Sequence, residues 1–526
     1  MSPTDQPFSL LQLLRQQLEA ARAHDEHIRA QHASGQIIQV PGTGKAISSA
    51  YEQLRNAAEY TEEHLLLQRA IKRFYKRSFA FSKRSHVKNI GDELIVELTQ
   101  AGYLRDNQFS QGTAAQITRL SEDYLHTYSQ LREAHVTRDE AADWILPILA
   151  VEVEGILNPH SRHSALAYVA YQHYLDAFPR DMLIATAEEA EIYEISLYVA
   201  VHQALLKSDM AVVRHDLLRM YQQSMDDIPG FIEFNRRVTK LFVSRFTARL
   251  KRAVSKHGAP LRILKSMADD RPDLPEALEN RETFLIGYDQ QVKKEYKQVN
   301  QRLNKGIIKS IIFIFITKVL IGVGIEVPYD HFVIGTIALI PLAINLLFPP
   351  LYMASLRLGL KVPSRANAHA LHDYIDKILF TGEQPHLLAL RDPTRSVSAL
   401  RKWMYGILFL IPFAITVYLL SLLHFNAVQM VIFFVFMSTA SFLGFRLSGM
   451  IRELELMTPR GRMLTTFRDF FYLPFILAGQ WLSSKYARVN AVAYFLDIVI
   501  ELPLKTVLRL VRQWTRFLNE KHDEIY

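Results

Sequence analysis

A lysine lies inside the first strongly apolar stretch of the chain, which runs from Ser310 to Val327. Lys318 is followed eight residues later by Glu326, which a helix would place on nearly the same face and about 12 Å along the axis. Asn345, in the next apolar stretch, is a further polar partner. Ionisable side chains in membrane segments are rare, and they pair with one another, reach the interface, or line a path for ions. These three residues are therefore the candidate intramembrane polar site, with all three interpretations open.

Other groupings of reactive residues give weaker signals. One has the side-chain types of a metal site: His160, His163, His173, Glu152 and Glu154. Its first two histidines fall at the start of a predicted helix, where polar side chains are usually solvated. The absence of cysteine excludes disulfides, thiolate metal sites and cysteine nucleophiles. We therefore expect no metal, no cofactor and no catalytic residues, and favour a protein that is not an enzyme.

Four apolar stretches have the composition of membrane-spanning helices, at about 307–327, 332–355, 403–423 and 427–445. The last two carry no charged residue and are long enough to cross a bilayer. In the first stretch, Lys318 raises the free energy of membrane insertion by about 3 kcal/mol, whereas thirteen Ile, Leu, Val and Phe residues lower it by about 4 to 8 kcal/mol. Insertion is therefore favourable, and hydropathy alone predicts that Lys318→Met inserts as well or better.

The distribution of basic residues predicts the orientation. Lys and Arg are concentrated before the first apolar stretch, between the second and third, and after the fourth. The two remaining connections, EVPYDH and HFN, contain neither. Because Lys and Arg mark the cytoplasmic side, we expect four spans in the cell membrane with both termini in the cytoplasm. These positions account for much of the net charge of +8, so no nucleic-acid partner is expected.

The residues before the spans predict a helical domain. Apolar residues recur at helical spacing near 46–79, 87–104, 113–134, 138–157, 161–178, 186–207, 209–225 and 229–256. Thr137, Thr186 and Asp209 precede three of these stretches and are typical helix caps. Residues 272–309 predict a polar stalk helix that continues into the first span. The N-terminus lacks the pattern of a signal peptide, so we expect this domain to stay in the cytoplasm.

The C-terminal region contains two further patterns. FFYLPFILAGQWL at 470–482 has 13 residues, too few for a span, and indicates an interfacial or re-entrant helix. A polar stripe at four-residue steps then lies on an otherwise apolar helix: Asp497, Glu501, Lys505 and Arg509. This pattern predicts an amphipathic helix on the cytoplasmic leaflet. The sequence does not decide whether a fifth span lies within 470–510.

The predicted fold class is all-α, in three parts. These are a cytoplasmic helical domain over 1–290, a four-helix transmembrane unit over 306–447, and a cytoplasmic membrane-associated tail over 448–526.

Two stretches of the chain resemble a known family. They are AYEQLRNAAEYTEEHLLLQRAIKRFYKR near the start and FRDFFYLPFILAGQWLSSKYARVNAVAYFLDIVIELPLKTVLRLVRQW near the end. The IEVPYD and LFPPL turns fit the same pattern, and the resemblance covers most of the chain. The family consists of multi-pass membrane proteins of candidate-phyla bacteria and has no assigned function. The resemblance therefore implies a membrane location and no role for any residue.

These patterns favour a membrane-anchored scaffold or regulatory protein, with the lipid bilayer and a cytoplasmic protein as its partners. The predicted soluble part is about twice as long as the membrane unit, and the extracytoplasmic connections are only a few residues. The alternative is a small oligomeric channel or transporter built from several copies of the chain. In that case Lys318, Glu326 and Asn345 would line its path.

Overall fold

The part of the chain that the structure describes is built from helices and their connections. The computed structural model describes residues 9–32, 35–42, 45–58, 65–81, 89–178, 180, 184, 186–336, 338–360, 362–383, 399–456 and 463–488. These ranges contain no strand, and the all-α prediction is confirmed for them. An isolated antiparallel bridge joins Ile37 and Ser110. The described residues form two compact units, one of 9–176 with 184–254, and one of 255–488 with a short stretch at 177–180.

The first unit is a helical domain with its own apolar core. Its helices are α1 (Leu10–His32), α2 (Lys45–Ala58), α3 (Leu66–Phe81), α4 (Ile90–Gln100), α5 (Gln111–Glu133), α6 (Arg138–Leu157), α7 (Ser161–Ala177), α8 (Ala187–Val201), α9 (Met210–Met220), α10 (Ile228–Phe242) and α11 (Arg245–His257). The core lies where α3, α4, α5 and α6 meet, and Leu94, Ile117 and Ile145 are fully buried in it. Such burial is the main source of stability for a helical domain.

Side-chain caps begin three of these helices. Thr137, Thr186 and Asp209 cap α6, α8 and α9, and each accepts a hydrogen bond from a backbone N–H two or three residues further on, at 3.0–3.2 Å. These bonds satisfy donors that a helix leaves unpaired in its first turn. The three predicted caps are confirmed.

One helix boundary was not recognised in the sequence. The single helix expected over 229–256 is wrong, because α10 ends at Phe242 and α11 begins at Arg245. Ser244 Oγ accepts the N–H of Thr247 at 3.0 Å and so starts a new helix. Within 46–79, where one helix is expected, the structure describes α2 and α3.

The second unit is built around one long helix. Its helices are α12 (Ala259–Asp270), α13 (Leu274–Ala277), α14 (Arg281–Ile321), α15 (Leu339–Gly359), α16 (Arg365–Asp376), α17 (Ala399–Leu422), α18 (Ala427–Arg452) and α19 (Met463–Arg488). Helix α14 has 41 residues and is about 62 Å long. Its cap, Asn280, accepts the N–H of Thr283 at 3.1 Å. The predicted stalk therefore does continue into the apolar stretch, although it begins at Arg281 rather than near 272.

Among the described residues, three helices are long and apolar enough to cross a membrane: Arg281–Ile334, Leu339–Arg357 and Ala427–Arg452. A shorter apolar segment, Gly406–Leu422, lies within α17. Large apolar side chains on these helices face outward, and Leu320 is 66% and Phe332 82% exposed. A contiguous apolar surface of this kind suits lipid rather than water. The helices therefore indicate a membrane protein.

Helix α19 is longer than the sequence suggests. The expected 13-residue helix at 470–482 is part of a 26-residue helix, about 39 Å long. Tyr472 donates to the backbone oxygen of Ser441 at 2.8 Å, and Gly479 lies directly against the carbonyl of Ser438. Because the later residue of α19 contacts the earlier residue of α18, the two helices are antiparallel. The polar residues at both ends of the apolar run continue the helix instead of ending it.

Candidate functional site

The candidate site lies where α14 continues beyond Ile321. The helix proceeds through two π-helical turns, Gly322–Glu326 and Asp330–Ile334, and ends at Gly335, whose φ of 82° breaks it. The connection to α15 is therefore residues 335–338, and not EVPYDH as the sequence suggests. Wide π turns are often found at functional sites because they redirect side chains. Here the π turns keep the carboxylates of Glu326 and Asp330 within the helix.

Lys318 and Glu326 form a buried ion pair. Lys318 Nζ lies 2.8 Å from Glu326 Oε1, and each residue is only 1% exposed. The same ammonium lies 4.7 Å from the centre of the Phe436 ring, which favours a cation electrostatically. Lys318 therefore points into the bundle and does not extend to the membrane interface.

Asn345 completes the set of three residues singled out in the sequence. Its Nδ2 donates to Glu326 Oε2 at 3.1 Å and to the backbone oxygen of Gln429 at 3.2 Å. The amide thereby links the end of α14 to α15 and α18. The structure thus brings Lys318, Glu326 and Asn345 into one hydrogen-bonded group.

Asp330 is a member of the site that sequence reasoning did not include. Asn426 Nδ2 donates to Asp330 Oδ1 at 2.8 Å, and Gln429 Nε2 donates to Asp330 Oδ2 at 2.9 Å. Asp330 is 1% exposed and Gln429 is fully buried. The sequence does contain a signal, because Asn426 and Gln429 have capping-box spacing before an apolar run. We call these six residues the polar cluster: Lys318, Glu326, Asp330, Asn345, Asn426 and Gln429.

The start of α18 fixes the direction of both amides. Asn426 Oδ1 accepts the Gln429 N–H at 2.9 Å, and Gln429 Oε1 accepts the Asn426 N–H at 3.1 Å, which makes a complete capping box. Since both amide oxygens are occupied, both NH₂ groups are directed at Asp330. The cap of one helix therefore supplies two donors to a carboxylate on another.

Asn426 both caps α18 and donates to Asp330, and comparison with a residue that only caps a helix separates the two contributions. Asn426→Ala should lower the unfolding temperature of the detergent-solubilised protein more than Ser364→Ala, which removes only the cap of α16. Loss of a cap costs about 0.5–2 kcal/mol, and Asn426→Ala also leaves Asp330 short of a donor. Equal shifts for the two variants would show that the bond to Asp330 contributes nothing.

A second buried polar group lies in the first unit. His202, in a π turn after α8, lies 3.7 Å from Asp216, and its Nδ1 lies 3.2 Å from Ser208 Oγ. Asp216 is also bonded to His215 at 2.9 Å and to Ser164 at 3.1 Å. Burial lowers the pKa of His202, although the facing carboxylate opposes this. The imidazole is therefore held neutral in the folded protein.

Acidification should destabilise the first unit. Burial lowers the pKa of His202, and that of His32, below the usual value of 6.5. Below about pH 6.5 the unfolded chain takes up protons that these folded histidines do not. Stability is therefore complete above that pH and is lost as the pH falls, by at most about 1.4 kcal/mol per pH unit and histidine.

Hydrogen exchange of peptides from α8 and α9 at pH 7.5 and 5.5, expressed relative to the intrinsic exchange rate at each pH, checks this expectation. His202→Gln should reduce the acid-induced increase in exchange, whereas His126→Gln, at an exposed position, should leave it unchanged. An increase that is the same in all three proteins would assign the acid sensitivity to other groups.

The remaining predicted residues do not form a site in the described structure. His160 lies 3.6 Å from Glu154, and within the described ranges no three His, Cys, Asp or Glu side chains are grouped to hold a metal ion. The polar stripe of Asp497, Glu501, Lys505 and Arg509 lies outside the described residues.

Comparison of the chain with protein-family profiles, with curated proteins and with solved structures gives no match. The polar cluster and the two-unit architecture are therefore the basis on which a function is proposed.

Proposed function

We propose that the protein is a multi-pass protein of the cell membrane that holds a helical domain in the cytoplasm, where this domain binds a protein partner as a scaffold or regulator. The observation that carries the proposal is the division of the chain. One compact unit has an apolar core of its own, and the other contains the outward-facing apolar helices. A core of that size is not needed to anchor a protein in a membrane, so it supports a role outside the bilayer.

The topology within this proposal is four spans with both termini in the cytoplasm. The three long apolar helices and the apolar part of α17 supply the spans. The connections at 335–338 and 423–426 contain no Lys or Arg, which supports their extracytoplasmic location. The basic residues that precede α14 and follow α18 support the cytoplasmic location of the other ends.

Single cysteines test the orientation, because the chain has none of its own. Thr336, in the connection after α14, and Glu383, after α16, are both exposed. An impermeant thiol reagent added to intact cells should label Thr336→Cys, and should label Glu383→Cys only after permeabilisation. The reverse pattern would invert the proposed orientation.

A third cysteine tests a fifth crossing by α19. Packing along α18 favours a crossing, whereas Lys485 and Arg488 in its last turn favour a cytoplasmic end. We retain four spans, so Ser484→Cys should not be labelled in intact cells. Labelling of this exposed position would make α19 a fifth span and would place its C-terminal end outside the cell.

The partner is tested by crosslinking in the membrane. The full-length protein should capture a cytoplasmic protein in a fixed ratio, and a variant lacking residues 1–257 should not. The cut falls at the end of α11, so α12 to α19 stay intact. Capture that persists after the deletion would assign binding to the membrane unit.

A second candidate function is an oligomeric channel or transporter, and the polar cluster favours it. Ionisable residues buried among apolar spans are a common feature of ion and proton pathways. Flux into proteoliposomes that Glu326→Gln abolishes would support this function. Crosslinks formed only between copies of the chain would point in the same direction.

A further inference from the structure

We propose that the polar cluster binds one exchangeable proton, held by one of its two carboxyl groups, Glu326 or Asp330, which makes the cluster electrically neutral inside the membrane. This inference goes beyond both proposed functions and does not depend on which of them holds.

Charge balance is the first argument. Lys318 carries one positive charge, and Glu326 and Asp330 would carry two negative charges if both were ionised. All three residues are 1% exposed. A carboxylate without a counter-charge is so costly to bury in a medium of low polarity that the group takes up a proton instead. One proton balances the charges.

Helix α15 supplies no cation close enough to balance the excess negative charge of the cluster. Its titratable groups in the described structure are Tyr352 and Arg357. Tyr352 is paired with Ser441 Oγ at 3.0 Å. Arg357, at the other end of the helix, bonds to asparagine side chains of α14 at 2.7 and 2.9 Å.

Helix α18 and the residues beside the 335–338 and 423–426 connections supply no such cation either. The first cation of α18 is Arg446, seventeen residues after Gln429 and therefore about 26 Å along the axis. His331 and His424, which flank the cluster at its outer end, are exposed to the surroundings rather than buried with the carboxylates. Within the described residues, the excess negative charge has no protein counter-ion.

Hydrogen bonding is the second, independent argument. Asn345 is fully buried, and its Oδ1 has no donor in the described structure. The amide cannot be reversed, since its Nδ2 already bonds to two oxygen acceptors, Glu326 Oε2 and the Gln429 carbonyl. The cluster thus has one acceptor too many as well as one negative charge too many. One proton bound by a carboxyl group adds one donor and one positive charge to the cluster.

The position of the cluster indicates the side from which the proton exchanges. Asp330 precedes the exposed His331, and the helix ends four residues after Asp330, at Ile334. Lys318 lies twelve residues earlier, deeper in the span. Exchange should therefore occur from the side of the 335–338 connection.

Infrared difference spectroscopy of the full-length protein in lipid vesicles tests the proposal. Raising the pH should remove the carbonyl band of a protonated carboxyl group from the wild-type spectrum. Asp330→Asn and Glu326→Gln should each abolish this change, while Glu282→Gln, at an exposed position of α14, should retain it. Wild-type and Asp330→Asn spectra that are identical would overturn the proposal.

Thermal unfolding in detergent keeps the test decisive if a variant folds poorly. A proton that the folded protein holds and the unfolded chain releases makes stability fall as the pH rises. The unfolding temperature of the wild type should therefore fall between pH 6 and 9, and that of Asp330→Asn should fall less. A wild type that is instead stabilised by sodium at high pH, without any carboxyl band, would assign the cluster to a metal cation and refute the proton.

Discussion

Lys318→Met should strongly destabilise the membrane unit, although it removes a charge from an apolar helix. Its ammonium pairs with Glu326 Oε1 at 2.8 Å, and its loss leaves two buried carboxylates without a cation. Removing one partner of a buried ion pair costs about 3–5 kcal/mol, because the other charge stays buried. Hydropathy alone predicts the opposite, that replacing this lysine by methionine favours the inserted helix. The unfolding temperature and the yield of folded protein in detergent measure the effect.

A second substitution in the same protein distinguishes the loss of the ion pair from the loss of side-chain packing at Lys318. Glu326→Gln added to Lys318→Met removes the unpaired charge and should recover most of the lost stability. Lys309→Met, at an exposed position of the same helix, should change stability little. If the double variant is no more stable than Lys318→Met alone, the packing of the lysine side chain and not its charge is the cause.

Gly479→Ala should separate α19 from α18 and cost about 3 kcal/mol. A Cβ at this position would lie 2.2 Å from the carbonyl oxygen of Ser438 and 2.7 Å from Cβ of Phe442. Both neighbours are part of the helix framework, so one helix must move away. Crosslinking between cysteines placed at Tyr472 and Ser441, which are in contact, reports the distance between the helices.

Gly449→Ala is the matched control for this substitution. Gly449 lies in the partner helix α18, and a Cβ there would meet no atom within 4 Å. Alanine is favoured over glycine in a helix by about 1 kcal/mol, so this variant should be as stable as the wild type or more stable. Equal behaviour of the two alanine variants would mean that the contact at Gly479 is not close.

Local patterns predicted much of the fold because their physical causes lie within a few residues. Thr137, Thr186 and Asp209 cap their helices because a short polar side chain can reach only the next turn. The continuity of α14 from stalk to apolar stretch follows from a helical pattern that no proline interrupts.

Boundaries set by competing local signals were harder to predict. Ser244 begins a new helix inside an apparently continuous pattern, and the polar ends of α19 extend a run that is too short by hydropathy. The π turns that carry α14 on to Ile334 place Glu326 and Asp330 inside the helix instead of in a connection. At Ser244 a side-chain hydrogen bond decides the boundary, and composition does not record it.

The sequence by itself determined that the described part of this protein is all-helical, that it has apolar helices of membrane-spanning length, and that Lys318, Glu326 and Asn345 are unusual in them. Each of these conclusions depends on residue type and on spacing along one helix. The tertiary structure alone decided that Lys318 is paired and buried, and that Asp330 receives both amides of a capping box 96 and 99 residues away. Such partners meet only when separate helices pack. For that reason the charge balance of the cluster, and the proton inferred from it, could not be read from the order of residues.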